Sequence, residues 1–357
     1  SMNREILLGN KMVGDNYPPY FIADIAANHD GDLNRAYKLI ELAKESGADA
    51  AKFQNFKAAT IVSDKGFKSM GAQLSHQSSW KKSVYEVYED ASLDDDWTPL
   101  LKERCNEVGI EYITSPYDMH SVDWANPYVD YFKIGSGDIT WTEILEHIAL
   151  KSKPVCLATG AASLEEVERA VNTIEQANEN LILMQCNTNY TASTENFKYI
   201  NLNVLKTYKA LFPDVVLGLS DHTKGHVAVL GAIALGARVI EKHFTDDNDR
   251  EGPDHKFSTT PQEWREMVDD SNKLFAALGD GIKRIEENEK QTCLVQKRGV
   301  YVNKDIPEGH IFQLDDFIML RPRSDAGFEP YEAETIVGKR CANAIEADSM
   351  LLRKDIQ

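Results

Sequence analysis

The stretch YFIADIAANHDG, residues 20–31, decides the fold of this 357-residue chain. It starts as a short apolar run, reaches a carboxylate at Asp24 and ends in the polar turn Asn28-His29-Asp30-Gly31. Seven further short apolar runs follow it, and this length and composition are typical of buried parallel strands. The eight runs cover residues 20–26, 50–53, 111–114, 131–134, 155–158, 181–185, 215–219 and 239–242.

Helical patterns lie between the runs. Residues 33–46 repeat apolar side chains at helical spacing, and Gly47 follows as a common helix stop. Residues 163–177 open with the capping-box pair Ser163 and Glu166, and Pro261 is suited to begin a last helix that ends near Leu278. This alternation predicts a closed (β/α)8 TIM barrel. The alternative is an open doubly wound sheet, but this sequence has no Gly-x-Gly-x-x-Gly motif after the first run.

The composition changes along the chain and predicts three parts. Residues 1–278 form the barrel, the Glu- and Lys-rich residues 279–297 form a linker, and residues 298–357, with β-type runs at 299–302 and 317–320, form a small domain. The connection over residues 55–96 is long, as in lids and binding loops. It contains the aromatic residues Trp80, Tyr85 and Tyr88.

Charge and hydropathy exclude some classes of function. The formal net charge of −18 disfavours binding to nucleic acid or to an anionic membrane surface. Neither a signal-peptide pattern nor an apolar stretch long enough to span a bilayer is present, so we expect a cytoplasmic protein. The five cysteines contain no Cys-x-x-Cys pair, which favours reduced thiols.

Catalytic groups of such barrels lie where the strands end. Lys52 and Lys133 close two runs, so their ammonium groups should meet over one mouth. Together with the hydroxyls of Thr114 and Ser136 and backbone N–H groups, they would hold a phosphate or phosphocarboxylate. Each lysine could instead pair with a structural carboxylate. The candidates for such pairing are Asp24 and Asp138.

His222 and His243 close neighbouring runs, so both imidazoles could reach one point. Two imidazole ligands leave coordination positions of a divalent ion open, which suits an ion used as a Lewis acid. Nitrogen and oxygen ligands favour Mn²⁺, Mg²⁺ or Co²⁺ over structural zinc. Cys186 is interpreted as a buried apolar thiol. Asp254, in a polar loop after the eighth run, could bind sugar hydroxyls or cap its own turn.

These motifs together resemble the sialic acid synthases, a family of phosphoenolpyruvate-dependent transferases that make nine-carbon keto acids. Members carry a C-terminal antifreeze-like (SAF, β-clip-like) domain after the TIM barrel. The resemblance extends over nearly the whole chain. The motifs that carry it are IADIAANHDGD (22–32), KFQ (52–54), KIGSGD (133–138), GLSDHT (218–223), EKHF (241–244), GPDH (252–255), KR (297–298), KDIPEG (304–309) and RP (321–322).

The resemblance implies a role for each matching residue. The phosphate of phosphoenolpyruvate would be bound by Lys52, Thr114 and Lys133. Its carboxylate would be bound by Ser136, Thr188 and Ser220. The metal ligands would be His222 and His243, and the contacts to the acceptor sugar would be Asp24, Gln54, Tyr190 and Asp254. Arg321 would reach into the partner's barrel in a domain-swapped homodimer.

The implied reaction joins phosphoenolpyruvate to an N-acylated hexosamine, with Asp138 or Asp24 as general base and acid. The acceptor would be N-acetylmannosamine or a 2,4-diacetamido-2,4,6-trideoxyhexose. The family usually has Glu at the position of Asp24, and Thr191 replaces a common Pro, so these departures concern the sugar more than the reaction. Two alternatives remain: a different barrel aldolase that uses phosphoenolpyruvate or pyruvate, for example through a Schiff base, and a non-catalytic spore-coat or polysaccharide-biosynthesis protein.

Overall fold

The computed structural model of the protein describes residues 4–70, 81–191 and 193–357. Trp80, part of the predicted lid or binding loop, lies outside the described residues. The chain divides into two compact units, Ser1–Gly279 and Asp280–Gln357.

Parallel strands form the first unit. Within its described residues, eight of them make one sheet, in the order β5 (Glu111–Pro116), β4 (Ala50–Asn55), β3 (Tyr20–Asp24), β10 (Ala237–His243), β9 (Val216–Asp221), β8 (Leu181–Cys186), β7 (Val155–Ala158) and β6 (Phe132–Ile134). The end strands β5 and β6 also lie against each other, so the sheet curls into a barrel. The predicted (β/α)8 barrel is therefore confirmed.

Helices follow the strands, and the three helices that the sequence predicts begin at the predicted residues. Ser163 and Glu166 form the predicted capping box at the start of α8, and α1 ends just before Gly47, whose φ of +99° favours glycine. No helix of the described residues is long and apolar enough to cross a membrane. The helices of this unit are α1 (Leu33–Glu45), α2 (Ala58–Ile61), α3 (Asp64–Ser69), α4 (Val84–Ala91), α5 (Trp97–Val108), α6 (Met119–Ala125), α7 (Thr142–Ala149), α8 (Leu164–Glu175), α9 (Val204–Leu211), α10 (Val227–Ala234) and α11 (Pro261–Leu278).

An antiparallel hairpin that the sequence analysis missed closes one end of the barrel. Its strands are β1 (Glu5–Leu8) and β2 (Lys11–Gly14). Ile6, Leu8 and Val13 from this hairpin join a buried apolar cluster with Tyr20 and Tyr131 inside the barrel. Because Tyr20 begins its strand, this plug lies at the amino ends of the strands. The carboxyl ends are left for polar side chains.

The second unit has a small core of its own. β11 (Gly299–Val302) pairs antiparallel with β12 (Phe317–Leu320), and both match predicted β-type runs. Its buried apolar residues include Val300, Phe312 and Leu351. The predicted linker region contains the helix α12 (Lys290–Gln296), and a further short helix, α13 (Ala333–Ile336), lies later in the unit.

Candidate active site

Polar side chains at the carboxyl ends of the strands form the upper layer of the barrel interior. Tyr20 and Ile22 of β3 belong to the inner cluster, and residues two apart on a strand share a face, so Asp24 also points inward. Asp24 is in register with Lys52 on β4 and with His243 on β10. Residues at the same level of neighbouring strands face the same way, so all three side chains meet inside the barrel.

Lys52 and Lys133 meet at one carboxylate, Glu241. Lys52 Nζ lies 3.2 Å from Asp24 Oδ2 and 3.5 Å from Glu241 Oε2, and Lys133 Nζ lies 2.8 Å from the same Glu241 oxygen. All four residues are at most 3% exposed. The pairing with a structural carboxylate that the sequence left open is thus present between Lys52 and Asp24. Lys133 pairs with Glu241, a residue to which the sequence analysis gave no role.

Burial and pairing together set the charges of this cluster. Burial alone would raise the pKa of Glu241, but Lys133 and Lys52 outweigh burial and bring the pKa to about 2. Burial also disfavours the charge on Lys52, yet Asp24 and Glu241 raise the pKa of its ammonium above the usual value. Lys52 and Glu241 therefore stay ionised at neutral pH. Glu241 Oε1 is buried and has no hydrogen-bond partner among the described residues, so one acceptor remains for a ligand.

Hydroxyl groups gather beside the lysines around Gly160. A Cβ at Gly160 would lie 2.4 Å from Thr188 Cγ2 and 2.9 Å from Ser136 Oγ, so a larger residue would push these side chains apart. Gly160 N–H donates to Ser136 Oγ at 2.8 Å. Cys186 is buried among the same groups, beside the hydroxyls of Ser136 and Ser220. The structure thus brings together Ser136, Thr188 and Ser220.

Thr114 does not share this space. It is in register with Phe53, which packs in the outer layer between strands and helices. The Thr114 hydroxyl donates to the Phe53 carbonyl at 3.0 Å and lies 2.5 Å from Asn55 Oδ1. Ser115, one position along, faces inward and accepts from Lys52 Nζ at 3.2 Å. The structure places Ser115, not Thr114, beside the lysines, because a shift of one residue turns a strand side chain to the other face.

The imidazoles of His222 and His243 lie side by side at the mouth. Their ring centroids are 5.5 Å apart, and Tyr190 and Phe257 pack against both rings. Burial lowers the pKa of His222 to about 3 and that of His243 to about 4, so both rings are neutral at physiological pH. Neutral imidazole is the form that binds metal ions.

The donor set of this pair fits a divalent ion with few protein ligands. His222 Nδ1–H donates to the Asn187 carbonyl at 2.8 Å, which leaves the Nε2 lone pair free. His243 Nδ1 is buried without a hydrogen-bond partner in the described structure. Within the described ranges, no group of three or more His, Cys, Asp or Glu side chains is arranged to hold an ion. An ion bound by the two imidazoles alone would have open coordination positions for water or substrate.

Further polar side chains lie at the strand ends and in the loops around the mouth. Asp254 Oδ2 accepts from Ala27 N–H of another loop at 3.2 Å, and its side chain makes no capping hydrogen bond to its own turn. Gln54 is half-buried and, two positions after Lys52, faces inward. Asp138 ends a helical turn after β6, and burial raises its pKa to about 6. Asp254 is thus not a turn cap, and Asp138 is suited to proton transfer near neutral pH.

A sequence signal was available for one of the residues that the analysis missed. Glu241 lies two positions before His243 on the same strand, so their side chains share a face. A prediction that His243 points into the barrel therefore also predicts that Glu241 does. Ser115 gave no such signal, because the register between β4 and β5 cannot be derived from either run alone. Arg321 lies in the second unit, after β12, and is exposed, whereas Arg323 pairs with Asp325 and Glu329 of its own unit at 2.7 and 3.0 Å.

Comparisons with known proteins cover nearly the whole chain. The model of the NeuB family matches residues 39–283, and that of the SAF domain matches residues 297–357. The N,N'-diacetyllegionaminic acid synthase of Legionella pneumophila is 35% identical over 99% of this chain and 99% of its own length. The enzyme of that name from Campylobacter jejuni is 36% identical over 92% of this chain and 98% of its own. The crystal structure of an N-acetylneuraminic acid synthetase from Leptospira borgpetersenii, 30% identical, aligns with a TM-score of 0.71 over 82% of this chain and 95% of that chain.

Proposed function

This chain belongs to the NeuB family, and we propose that it condenses phosphoenolpyruvate with an N-acylated hexosamine and water. The products are a nine-carbon 3-deoxy-2-keto sugar acid and phosphate. The observation that carries this proposal is the buried cluster of Lys52, Lys133 and Glu241 at the strand ends. Two ammonium groups held in a water-poor site suit a small, highly charged anion such as phosphoenolpyruvate.

Phosphoenolpyruvate would lie across the lysines and the hydroxyl cluster. Lys52 and Lys133 would hold its phosphate with Ser115, whose hydroxyl already contacts Lys52. The carboxylate would meet Ser136, Thr188 and Ser220, which the structure gathers around Gly160 and Cys186. Held at both ends, phosphoenolpyruvate would present its methylene carbon in one fixed orientation to the acceptor.

The reaction then forms one carbon–carbon bond and breaks one carbon–oxygen bond. The C3 carbon of phosphoenolpyruvate attacks the C1 aldehyde of the open-chain sugar, and the resulting alkoxide takes up a proton. Water adds at C2 of the former phosphoenolpyruvate and loses a proton, and phosphate leaves with its bridging oxygen. His222 and His243 would hold a divalent ion, Mn²⁺, Mg²⁺ or Co²⁺, which would supply Lewis acidity when bound.

Carboxylates near the mouth would move the two protons. Asp138, with a pKa of about 6, can take the proton of the attacking water at neutral pH. Asp24 lies 3.2 Å from Lys52 Nζ and 3.4 Å from His243 Nε2, so it is placed to return a proton to the alkoxide.

We propose a 2,4-diacetamido-2,4,6-trideoxyhexose as the acceptor sugar. The alternative acceptor is N-acetylmannosamine. Support comes from two relatives at 35% and 36% identity whose names specify N,N'-diacetyllegionaminic acid. The second acetamido group would be accommodated among Asp254, Gln54 and Tyr190. We place the enzyme in the cytoplasm, where phosphoenolpyruvate is available.

We propose, as the family resemblance implies, a homodimer in which each small domain serves the partner's barrel through Arg321. We expect Arg321→Ala to raise the KM for the sugar with little effect on phosphoenolpyruvate, because the guanidinium would bind the acceptor. Mixed dimers of Arg321→Ala with Lys133→Ala chains should recover part of the activity, since one of their two sites is intact. Stable mixed dimers without recovery would contradict the shared site.

Phosphate release from phosphoenolpyruvate, measured against a panel of N-acyl hexosamines with mass spectrometry of the product, tests the proposal. We expect release with the diacetamido sugar, loss of release with a chelator and recovery with Mn²⁺ or Mg²⁺. A borohydride-trapped lysine adduct would indicate a Schiff-base aldolase, which the ionised Lys52 disfavours. Sugar binding without phosphate release would indicate the non-catalytic alternative.

A further inference from the structure

We infer that Lys242 is a positioning residue that sets His222 opposite His243 by holding the loop after β9. Lys242 directly precedes His243 and contacts the residues on both sides of His222. The inference rests on the proposed function, because it concerns the proposed use of the two imidazoles. It assigns a role to a lysine that lies outside the barrel interior and touches neither proposed substrate.

Lys242 faces away from the interior. Glu241 and His243, its neighbours on β10, point into the barrel, so Lys242 lies on the opposite face and is 2% exposed. Its ammonium donates to Asp221 Oδ2 at 2.7 Å, to the Thr223 carbonyl at 2.6 Å and to the Gly225 carbonyl at 2.9 Å. An ammonium has three N–H donors, and all three are used here.

These contacts do more than pair two charges. Asp221 is in register with Lys242 and is 3% exposed, so the pair locks β9 to β10 at the level of the mouth. Asp221 also accepts from Thr223 N–H at 3.1 Å and from the Thr223 hydroxyl at 2.9 Å. Residues 221–225 therefore wrap around the ammonium, and Gly225 takes a φ of +75° that lets its carbonyl turn toward it.

The wrapped loop determines where the His222 ring can lie. His222 lies between two residues that contact Lys242, and its Nδ1–H contact to Asn187 fixes the ring's rotation. If the ammonium were lost, the Thr223 and Gly225 carbonyls would need other donors and the loop would relax. The spacing of the imidazoles, now 5.5 Å between centroids, would then vary. Groups that orient metal ligands from outside commonly change metal affinity by about 10-fold to 100-fold.

The test measures Mn²⁺ binding by the loss of the free-ion electron paramagnetic resonance signal, with no sugar or phosphoenolpyruvate present. We expect Lys242→Met to weaken Mn²⁺ binding by about 10-fold to 100-fold. Asp221→Asn keeps both carbonyl contacts of the ammonium and should retain most of the affinity. Lys242→Met with Asp221→Asn removes both charges, so it should unfold at a higher temperature than Lys242→Met yet still bind Mn²⁺ weakly.

Lys153→Met is the matched control. Lys153 also holds backbone carbonyls, those of Asn126 and Val129, but it precedes β7 at the opposite end of the barrel. This variant should lose stability and bind Mn²⁺ like the wild type. Wild-type affinity in Lys242→Met, or affinity restored with stability in the double variant, would overturn the role of Lys242. Absence of Mn²⁺ binding by the wild type would instead refute the metal site of the proposed function.

Discussion

The two ends of the barrel interior are built from the same strands but differ in composition: one end is apolar and the other is charged. On β3, Tyr20 and Ile22 pack in the apolar cluster at the plugged end, and Asp24, two residues on, joins the charged cluster at the open end. On β10, Val239 is apolar and Glu241 is charged. The strand alternation is the same at both ends, so the difference lies in side-chain chemistry alone.

This difference shows where the fold gains stability and where it gives stability up. The apolar end buries side chains that favour folding by leaving water. The charged end buries ammonium and carboxylate groups whose desolvation is expensive and is offset only while every charge has its counterpart. Such an arrangement is expected where a protein must bind an anion, and stability studies can separate the two ends.

The largest effect should follow from breaking the charged end. Lys133→Met should lower kcat/KM by about 100-fold or more, because a donor aimed at the phosphate is lost. It should also reduce the free energy of unfolding by about 3–5 kcal/mol, because Glu241 is left buried without its 2.8 Å counterpart. Phosphate-release kinetics and urea unfolding check the two effects.

A double variant tells the two effects apart. Lys133→Met with Glu241→Gln removes both charges, so stability should largely return while activity stays lost. Wild-type kinetics in either variant would show that the phosphate site lies elsewhere.

The apolar runs allowed the strands to be predicted, but not the contacts between them. Each run is read along one chain segment, so the barrel and the capping box at Ser163 follow from local patterns. The register that brings Ser115 rather than Thr114 to Lys52 depends on two strands at once. For the same reason the pairing of Lys133 with Glu241, more than 100 positions apart, carries no local signal.

The hairpin at the plugged end shows a different limit. β1 and β2 have four residues each, too few for a clear alternation, although Gly9-Asn10 between them is a usual two-residue turn. Its buried side chains became recognisable as core only through their contacts with the barrel. Short elements that depend on tertiary packing are hard to predict from sequence patterns.

The next largest effect should come from the plugged end. Leu8→Ala removes a side chain that is 1% exposed and should reduce the free energy of unfolding by about 2–5 kcal/mol. Because Leu8 lies at the amino ends of the strands, kcat/KM of the folded protein should not change. Chemical denaturation and steady-state kinetics on the same preparation check this. A fall in kcat/KM at temperatures where the variant is folded would mean that the two ends are coupled.

A smaller, pH-dependent effect should mark Asp138 at the open end. Burial raises its pKa to about 6, so below that pH the carboxylate is protonated and cannot accept a proton from water. We expect kcat/KM to fall about tenfold per pH unit below this value, and to level off above it. The Asp138→Asn variant should have a low kcat/KM at every pH, without this fall at acidic pH. If kcat/KM of Asp138→Asn still fell at acidic pH, the proton transfer would belong to another group.

The smallest effect should come from the hydroxyl pair within the apolar end. The Tyr20 and Tyr131 hydroxyls lie 3.0 Å apart and are buried, and burial raises the pKa of both well above the usual value. Tyr131→Phe leaves the Tyr20 hydroxyl without its partner and should cost about 1–3 kcal/mol of stability. Tyr20→Phe combined with Tyr131→Phe removes both polar groups and should be more stable than either single variant, measured by thermal unfolding. Here, unlike at the lysines, removing both partners should leave kcat/KM unchanged, because no substrate depends on them. A double variant as unstable as the sum of the two single ones would show that the rings, not the hydroxyls, carry the contact.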